Sequence, residues 1–294
     1  MNKALGNAQA QHPTERAAAP VWLQELISAG YIPYIATSDY LLPSLNTHPF
    51  GQKAQAFLME NPDHTPFHEA YLLSNSLGFK SPDLKMPHWV LLDCVLMQTA
   101  VVGFMRAKES LPDSFLDYYR KDSSIDLDRL DYLPVSGQIS SPTAGGKILS
   151  GFSLFSLGYA IDGPRNLGLY TKALALEAYR AQHYEWIYGT AQYDNAAIKV
   201  HGQFSPRMEI AQPILSIHPK QAMSFIYRMA VDYDADRLDK PREAIEPSFW
   251  LEAHDLSGKL RMQSGIAEGK RYFIAPPFAV NRGNEIHLPI IEEK

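Results

Sequence analysis

The feature that most constrains this chain is a strand-like run, Gly151–Ile161, that enters the glycine-bearing turn Asp162-Gly163-Pro164-Arg165-Asn166-Leu167-Gly168. The turn opens into Leu169–Gln182, a stretch rich in Ala, Leu, Lys and Glu, all good helix formers. Leu169, Ala173 and Leu176, with Tyr170, Leu174 and Ala178, make one broad apolar face at helical spacing. Trp186–Gln192 then reads as a short strand, and Asp194 is placed to cap a helix over Asn195–His201, with Gly202 at its end. Strand, turn, helix, strand and helix in that order call for a mixed α/β layer.

A helix that starts straight out of such a turn carries unpaired backbone N–H groups and the positive end of its dipole, which together suit a pyrophosphate. Arg165 and Lys172 would add charge-assisted contacts to it. The plainer alternative is that Gly163 and Gly168 only let a strand turn into a helix.

The rest of the chain divides around this segment. Residues 1–19 read as a polar, Ala/Gln-rich leader without the apolar core of a secretory signal. Val21–Gly30, Gln52–Glu60 and His68–Leu77 have helical character, so 20–87 reads as a helical, proline-punctuated N-terminal region. From His88 the apolar runs Val90–Leu96 and Ala100–Ala107 read as a hairpin about Met97-Gln98-Thr99. A polar insertion over about 108–134 holds a helical patch at Phe115–Tyr119. Val135–Ser140 and Ile148–Ile161 follow as strands joined by the flexible Pro142–Gly146. Beyond a core spanning 88–212, a C-terminal extension over 213–294 carries a short helix around Lys220–Met229 and a strand at Arg271–Phe278.

Composition narrows the function classes. With 20% charged residues and a net charge of -5, the chain has no basic footprint for nucleic acid. Its longest apolar run, Val90–Met105, is short and interrupted by Asp93, Gln98 and Thr99, so no membrane span is expected. One cysteine, Cys94, cannot form an internal disulfide, which fits a reducing, cytoplasmic setting; an inert thiol in an apolar strand is its expected state. No metal is expected. His64 and His68 are separated by Pro66, and the ladder Asp232, Asp234, Asp236 has Arg237 where a calcium loop needs glycine. Gly145-Gly146-Lys147 lacks the Ser/Thr and the spacing of a nucleotide-binding phosphate loop.

Arg165-Asn166-Leu167-Gly168-Leu169-Tyr170 resembles the acyl-CoA pyrophosphate loop of the GCN5-related N-acetyltransferase (GNAT) superfamily, Arg/Gln-x-x-Gly-x-Gly/Ala, with Tyr170 in place of the last small residue. Asn195-Ala196-Ala197-Ile198-Lys199-Val200-His201 is similar in phase to the family's next helix, with His201 where a tyrosine is usual. Ser205-Pro206 departs from the family's Gly-Phe, and the hairpin Val90–Ala107, with Val101-Val102-Gly103-Phe104, resembles the family's second and third strands. The resemblance implies an α/β fold with a GNAT-like mixed, mostly antiparallel sheet flanked by helices, together with the helical N-terminal region and the C-terminal extension.

It also implies an activity, transfer of an acetyl or longer acyl group from acyl-CoA to an amine on a small molecule or peptide. By that resemblance Arg165, Asn166, Leu167, Gly168, Leu169 and Tyr170 hold the pyrophosphate. Leu157 and Tyr159, with Gly158 and Ala160 between and after them, lie along the pantetheine arm, and Asn195 touches it. His201 is the acid beside the departing thiolate, a role that an upward pKa shift would favour. No base stands out; Asp162 and the acidic insertion are the candidates. Phe152, Phe155, Tyr159, Tyr188 and Tyr193 would suit an apolar acceptor or simply pack a core. The added segments leave room for an acceptor pocket or a homodimer interface. Two rival readings stay open, a catalytically inactive GNAT-like protein that binds acyl-CoA or a partner, and an acyltransferase fed by acyl-carrier protein.

Overall fold

The computed structural model describes residues 18–79, 86, 88–97, 99–122, 124–195, 197–205, 207–214, 224–238 and 240–294. Nearly all of the leader, Gln98 of the expected turn, Ala196 and Pro206 lie outside them.

The first segment is α1 (Val21–Ser28), β1 (Ile32–Thr37), α2 (Leu42–Asn46), β2 (Gln55–Leu58) and α3 (Thr65–Gly78). Gly30, at φ +83, ends α1 as its position predicts, and Tyr31 N–H returns to Leu26 O. The region expected to be helical thus carries two strands. Gln52–Glu60, expected as a helix, is a short 3-10 turn followed by β2, which pairs in parallel with β1 (Ala36↔Phe57). Pairing beside β1 buries Phe57 against Phe67 and Tyr34, a tertiary gain that outweighs the local preference of a four-residue segment.

Next come α4 (His88–Leu96), β3 (Val101–Ala107), α5 (Asp113–Arg120), β4 (Tyr132–Pro134), β5 (Ser136–Pro142) and β6 (Ile148–Ser156). The hairpin expected over Val90–Ala107 does not form, because its first half is α4. That helix covers β3 and β5, burying Val90 and Leu91 while Trp89 and Leu92 stay exposed. An apolar run without alternation fits either element, and the bare sheet face beneath it decides for the helix. Cys94 falls in this helix rather than in a strand.

The chain continues through α6 (Leu167–Ala181), β7 (Trp186–Gln192), α7 (Ala197–Gly202), β8 (Met208–Gln212), β9 (Ser224–Ala230), β10 (Phe249–Glu252), α8 (Leu256–Ala267), β11 (Arg271–Ile274), β12 (Val280–Arg282) and β13 (Glu285–Glu293). The helix expected around Lys220–Met229 is instead β9 over its described part, and β9 is paired on both sides, to β7 and β8.

Among the described residues all the strands join one mixed sheet, ordered β10-β13-β11-β8-β9-β7-β6-β5-β3-β1-β2, with β12 on β13 and β4 on β3. It is mostly antiparallel, as expected; β1·β2 and β6·β7 are its parallel pairs. The expected boundary at 212/213 falls between two strands that pair with each other, so the sheet runs on through the C-terminal segment. Helices cover both faces. On one, Tyr71 of α3 and Phe155 close over Gly137; on the other, the hydroxyls of Thr171 of α6 and Ser136 hydrogen-bond at 2.6 Å. Neighbouring residues of one strand must point to opposite faces, so α3 and α6 sandwich β5. Among the described residues no helix is long and apolar enough to cross a membrane.

Candidate functional site: a fork between two parallel strands

β6 and β7 pair in parallel through Ile148↔Trp186, Leu149↔Ile187, Ser150↔Tyr188 and Gly151↔Gly189, and there the pairing ends. Both strands continue, β6 to Ser156 and β7 to Gln192, each held by its outer neighbour: Ser156 pairs Ser136 of β5, and Gln192 pairs Ser224 of β9. The sheet therefore forks after the two glycines. The backbone edges of 152–156 and 190–192 that face the fork are not satisfied by each other, although backbone polar groups require partners. The β5–β6 ladder also slips at Ile139/Ser140, which leaves Phe152 as an unpaired residue just above the fork with its ring exposed. Crevices at the carboxyl ends of parallel strands are where open α/β sheets take ligands.

α6 opens above the same mouth. After Ser156 the chain makes a 3-10 turn over Gly158–Ala160 and turns at Asp162, which has φ +51. Leu157, Gly158, Tyr159 and Ala160, expected as the end of the strand, lie beyond it. Leu157 N–H is already committed to Val135 O at 2.8 Å, and Tyr159 is 76% exposed. The strand residues beside the fork are 152–156.

Arg165 and Asn166 are exposed at the start of α6, while Leu167 and Leu169 are buried under it. The Tyr170 ring stacks on Trp22 of α1 with centroids 5.7 Å apart, so it does not project over the helix end. A Cβ on Gly168 would meet only Ser156 Cβ, at 3.5 Å, leaving that side of the first turn open. Asn195 Oδ1 accepts from Ala197 N–H at 2.8 Å and so caps α7, a task the sequence suggests for Asp194.

His201 lies inside the protein. It is 5% exposed, its ring lies 4.5 Å from that of Tyr227 on β9, and its Nε2 is 3.2 Å from the Tyr227 hydroxyl. Burial, and secondarily the charge of Lys172, hold its pKa well below 6.5, opposite to the upward shift that a cationic acid needs. Tyr227 stands opposite Gly189, the last residue before the fork, and a Cβ there would lie 2.2 Å from the Tyr227 oxygen. The phenol thus lies across β7 at the vertex of the fork. Burial raises the Tyr227 pKa and keeps its proton on.

Lys172 is also inside, on α6, and not at the helix mouth as a phosphate contact. Its amine is completely buried, makes no hydrogen bond among the described residues, and has its pKa brought down to about 7 by burial. Neither Lys172 nor Tyr227 stands out as a buried group in the sequence, because Lys172 reads as a phosphate contact and Tyr227 falls inside a run expected to be helical. Period-2 alternation (Phe225, Tyr227 and Met229 buried, Ile226 and Arg228 half-buried) is the signal that finds β9.

Among the described residues no cluster of three or more His, Cys, Asp or Glu is placed to hold a metal. His64 binds the backbone of Leu58 through Nδ1, at 2.7 Å to its N–H, and Asp232 pairs with Arg180.

No family model matches the sequence, and no curated protein does. Among solved structures, the chain is similar to one in the NatC complex bound to Gag peptide and CoA, with TM-score 0.38 and 9% identity over 58% of this chain and 93% of that one. It is similar to a Klebsiella pneumoniae subsp. pneumoniae protein described as an acyl-CoA N-acyltransferase, with TM-score 0.30 and 8% identity over 59% of this chain and 92% of that one. It is also similar to a tandem GNAT protein from the clavulanic acid biosynthesis pathway, with TM-score 0.30 and 9% identity over 72% of this chain and 66% of that one. Likenesses this distant say nothing about activity; the chemistry has to come from the fork, the helix end above it and the groups buried beside it.

Proposed function

We propose that this chain is a divergent GNAT-type acyltransferase that moves an acyl group from acyl-CoA to an amine of a small molecule or peptide. The observation that carries the reading is the fork: two parallel strands, zipped as far as Gly151↔Gly189 and apart beyond it, with the N-terminus of α6 over the opening. Among the described residues the fork-side backbone edge of 152–156 has no strand partner, which suits the amide-bearing arm of CoA, and the first turn around Arg165, Asn166 and Gly168 suits its pyrophosphate. The bound thioester would supply the activated acyl carbon. The protein's part is to align it and to meet the charge that appears on sulfur.

The Tyr227–His201 pair is the proton-bearing group at the vertex. Since His201 is neutral, the phenol is the better donor to a departing thiolate, and His201 orients it. Phe152 and Thr190 are exposed beside the fork, and the acceptor amine would approach past them.

A second reading, acyl-CoA binding without turnover, is favoured by the same buried His201, which is no cationic acid. Calorimetric titration with acetyl-CoA and a longer acyl-CoA, with Gly168→Asp in parallel, tests the site. Binding that the aspartate abolishes supports it, and no binding to either thioester rejects it. Turnover with an amine panel then separates enzyme from binder.

A further inference from the structure

Among the described residues two lysine side chains are fully buried, and they differ in one respect. Lys259 on α8 donates to Ala253 O and lies 4.4 Å over the Tyr193 ring. Lys172 has no hydrogen-bond or salt-bridge partner among the described residues. A buried ammonium without a counter-charge is costly, and sites that need an anion part of the time are where such a cost is found.

The place of Lys172 along the fork follows from two hydrogen bonds. Thr171 Oγ1 and Ser136 Oγ are hydrogen-bonded, and Ser136 pairs Ser156 at the mouth. Tyr179 O–H donates to Ser140 Oγ at 2.8 Å, and Ser140 pairs Gly151 at the vertex. Lys172 therefore lies on the stretch of α6 that runs along the unzipped part of β6, on the same helix face as Tyr179 about two turns on. Its charge reaches His201 on α7, so the amine is within electrostatic range of the Tyr227–His201 pair.

We propose that Lys172 is the charge partner of the coenzyme sulfur, an uncompensated buried amine set beside the fork to receive the thiolate released by acyl transfer. The inference rests on the acyl-CoA reading above. In the step itself the acceptor nitrogen forms a bond to the acyl carbon, the C–S bond breaks, and its electron pair leaves on sulfur. The proton lost by the nitrogen passes to solvent, and the thiolate stays in the fork, beside the Tyr227 hydroxyl, until water protonates it. Lys172 exchanges no covalent bond; its amine is set in advance where negative charge develops, and that charge holds it protonated once it appears. Without that anion the amine titrates at about 7, and a thiolate beside it would keep it protonated.

The test measures the product CoA rather than turnover. The full chain is titrated with CoA and with desulfo-CoA from pH 6.5 to 9, and the thiolate absorbance of bound CoA is followed beside that of free CoA. The other ionisable groups packed about this part of α6 are His201 from α7, Tyr227 from β9, Tyr179, Arg180, and Glu177 with His48 after α2; all remain in Lys172→Met. In the wild type the bound thiol should ionise at least one pH unit below free CoA, with a tenfold or greater preference for CoA over desulfo-CoA at pH 8. Lys172→Met should lose both while still binding desulfo-CoA. A wild-type thiol that ionises like free CoA overturns the proposal without recourse to any variant, as does a shift that survives in Lys172→Met and Lys172→Gln. In both cases CoA binding leaves the acyl-CoA site intact. Failure of wild type to bind either CoA or desulfo-CoA rejects the site itself.

Discussion

The Tyr227 hydroxyl lies 3.2 Å from His201 Nε2, and it occupies space that exists only because residue 189 has no side chain. A Cβ at 189 would stand 2.2 Å from the Tyr227 oxygen and 2.3 Å from Cζ, so the ring must leave the vertex. Gly189→Ala should cost about 1–3 kcal/mol, the usual price of overpacking a core, and should lower turnover at least tenfold. Gly151→Ala, across the same rung, is the control. Its Cβ would meet Ile187 and Tyr188 O at no less than 3.5 Å, so both stability and turnover should change little. Urea denaturation and steady-state rates of the two variants decide the matter; equal effects would mean that the vertex phenol is unimportant.

Removing only the hydroxyl isolates its chemistry. Tyr227→Phe leaves the ring beside His201 but takes away its hydrogen-bonding partner, at about 1–2 kcal/mol. Turnover should fall well over tenfold while acyl-CoA affinity stays within about twofold, the pattern of an interaction made at the transition state. A variant with normal kcat removes Tyr227 from the chemistry.

Among the described residues two buried histidines, His68 and His201, contribute to the acid limb of stability. His68 on α3 is held down to about 4, by burial first and the nearby His64 second, and His201 is lowered as well. The unfolded chain protonates both near 6.5 and so binds more protons than the folded one between pH 6.5 and 4. Stability must therefore fall as pH drops through that window. His68→Leu should flatten the slope by up to about 1.4 kcal/mol per pH unit, the value for one proton. Equal slopes in the variant and the wild type between pH 4.5 and 6 would show that His68 is protonated in the folded protein.

The parts legible in the sequence are those where local preference and tertiary context agree. The helix expected over Leu169–Gln182 is α6 over Leu167–Ala181, and Trp186–Gln192 is β7 with those limits, because one is built of strong helix formers and the other is bounded by turns. The runs that misled are apolar without a clear period. His88–Leu96 has apolar residues on every side and is a helix only because β3 and β5 lie bare beneath it. β9 hides a period-2 pattern beneath helix-compatible residues, and Tyr227 is lost from view with it. The fork was also beyond reach: Gly151 and Gly189 are unremarkable alone, and only their pairing shows where the ladder stops. Lys172 reads as a phosphate contact at the helix mouth until nearly every residue from Leu167 to Arg180 proves buried.

The first turn of α6 separates steric from electrostatic effects at one position. Gly168 has a negative φ, and a Cβ there meets only Ser156 at 3.5 Å. Gly168→Ala should leave stability within about 1 kcal/mol, alanine being the better helix former. Gly168→Asp should fold equally well, since a carboxylate at a helix N-terminus is favourable. The aspartate should weaken acyl-CoA binding more than tenfold by opposing the phosphates, and the alanine by much less. Thermal melts with parallel calorimetry test this, and equal loss in both variants would point to crowding rather than charge.

Lys172 makes the sharpest prediction about stability, and its sign is the reverse of a salt-bridged lysine. Its pKa is about 7 in the folded protein against 10.5 unperturbed, so between these values the unfolded chain holds a proton that the folded chain has given up. Wild-type stability, relative to a variant without the amine, must then rise with pH across that window by up to about 1.4 kcal/mol per unit. Below about pH 7 the whole penalty of the buried charge is present. Lys172→Met, which keeps the chain length and removes the charge, should therefore be more stable than wild type at pH 7, and its advantage should shrink steadily toward pH 9.5. Lys259, lowered to about 8, titrates in both proteins and cancels in the difference. Denaturant melts of the pair at pH 6.5, 8 and 9.5 give the result directly. A methionine variant less stable than wild type at every pH would mean that the amine has a compensating partner, and with it would go the view of Lys172 as a charge held in reserve for the coenzyme sulfur.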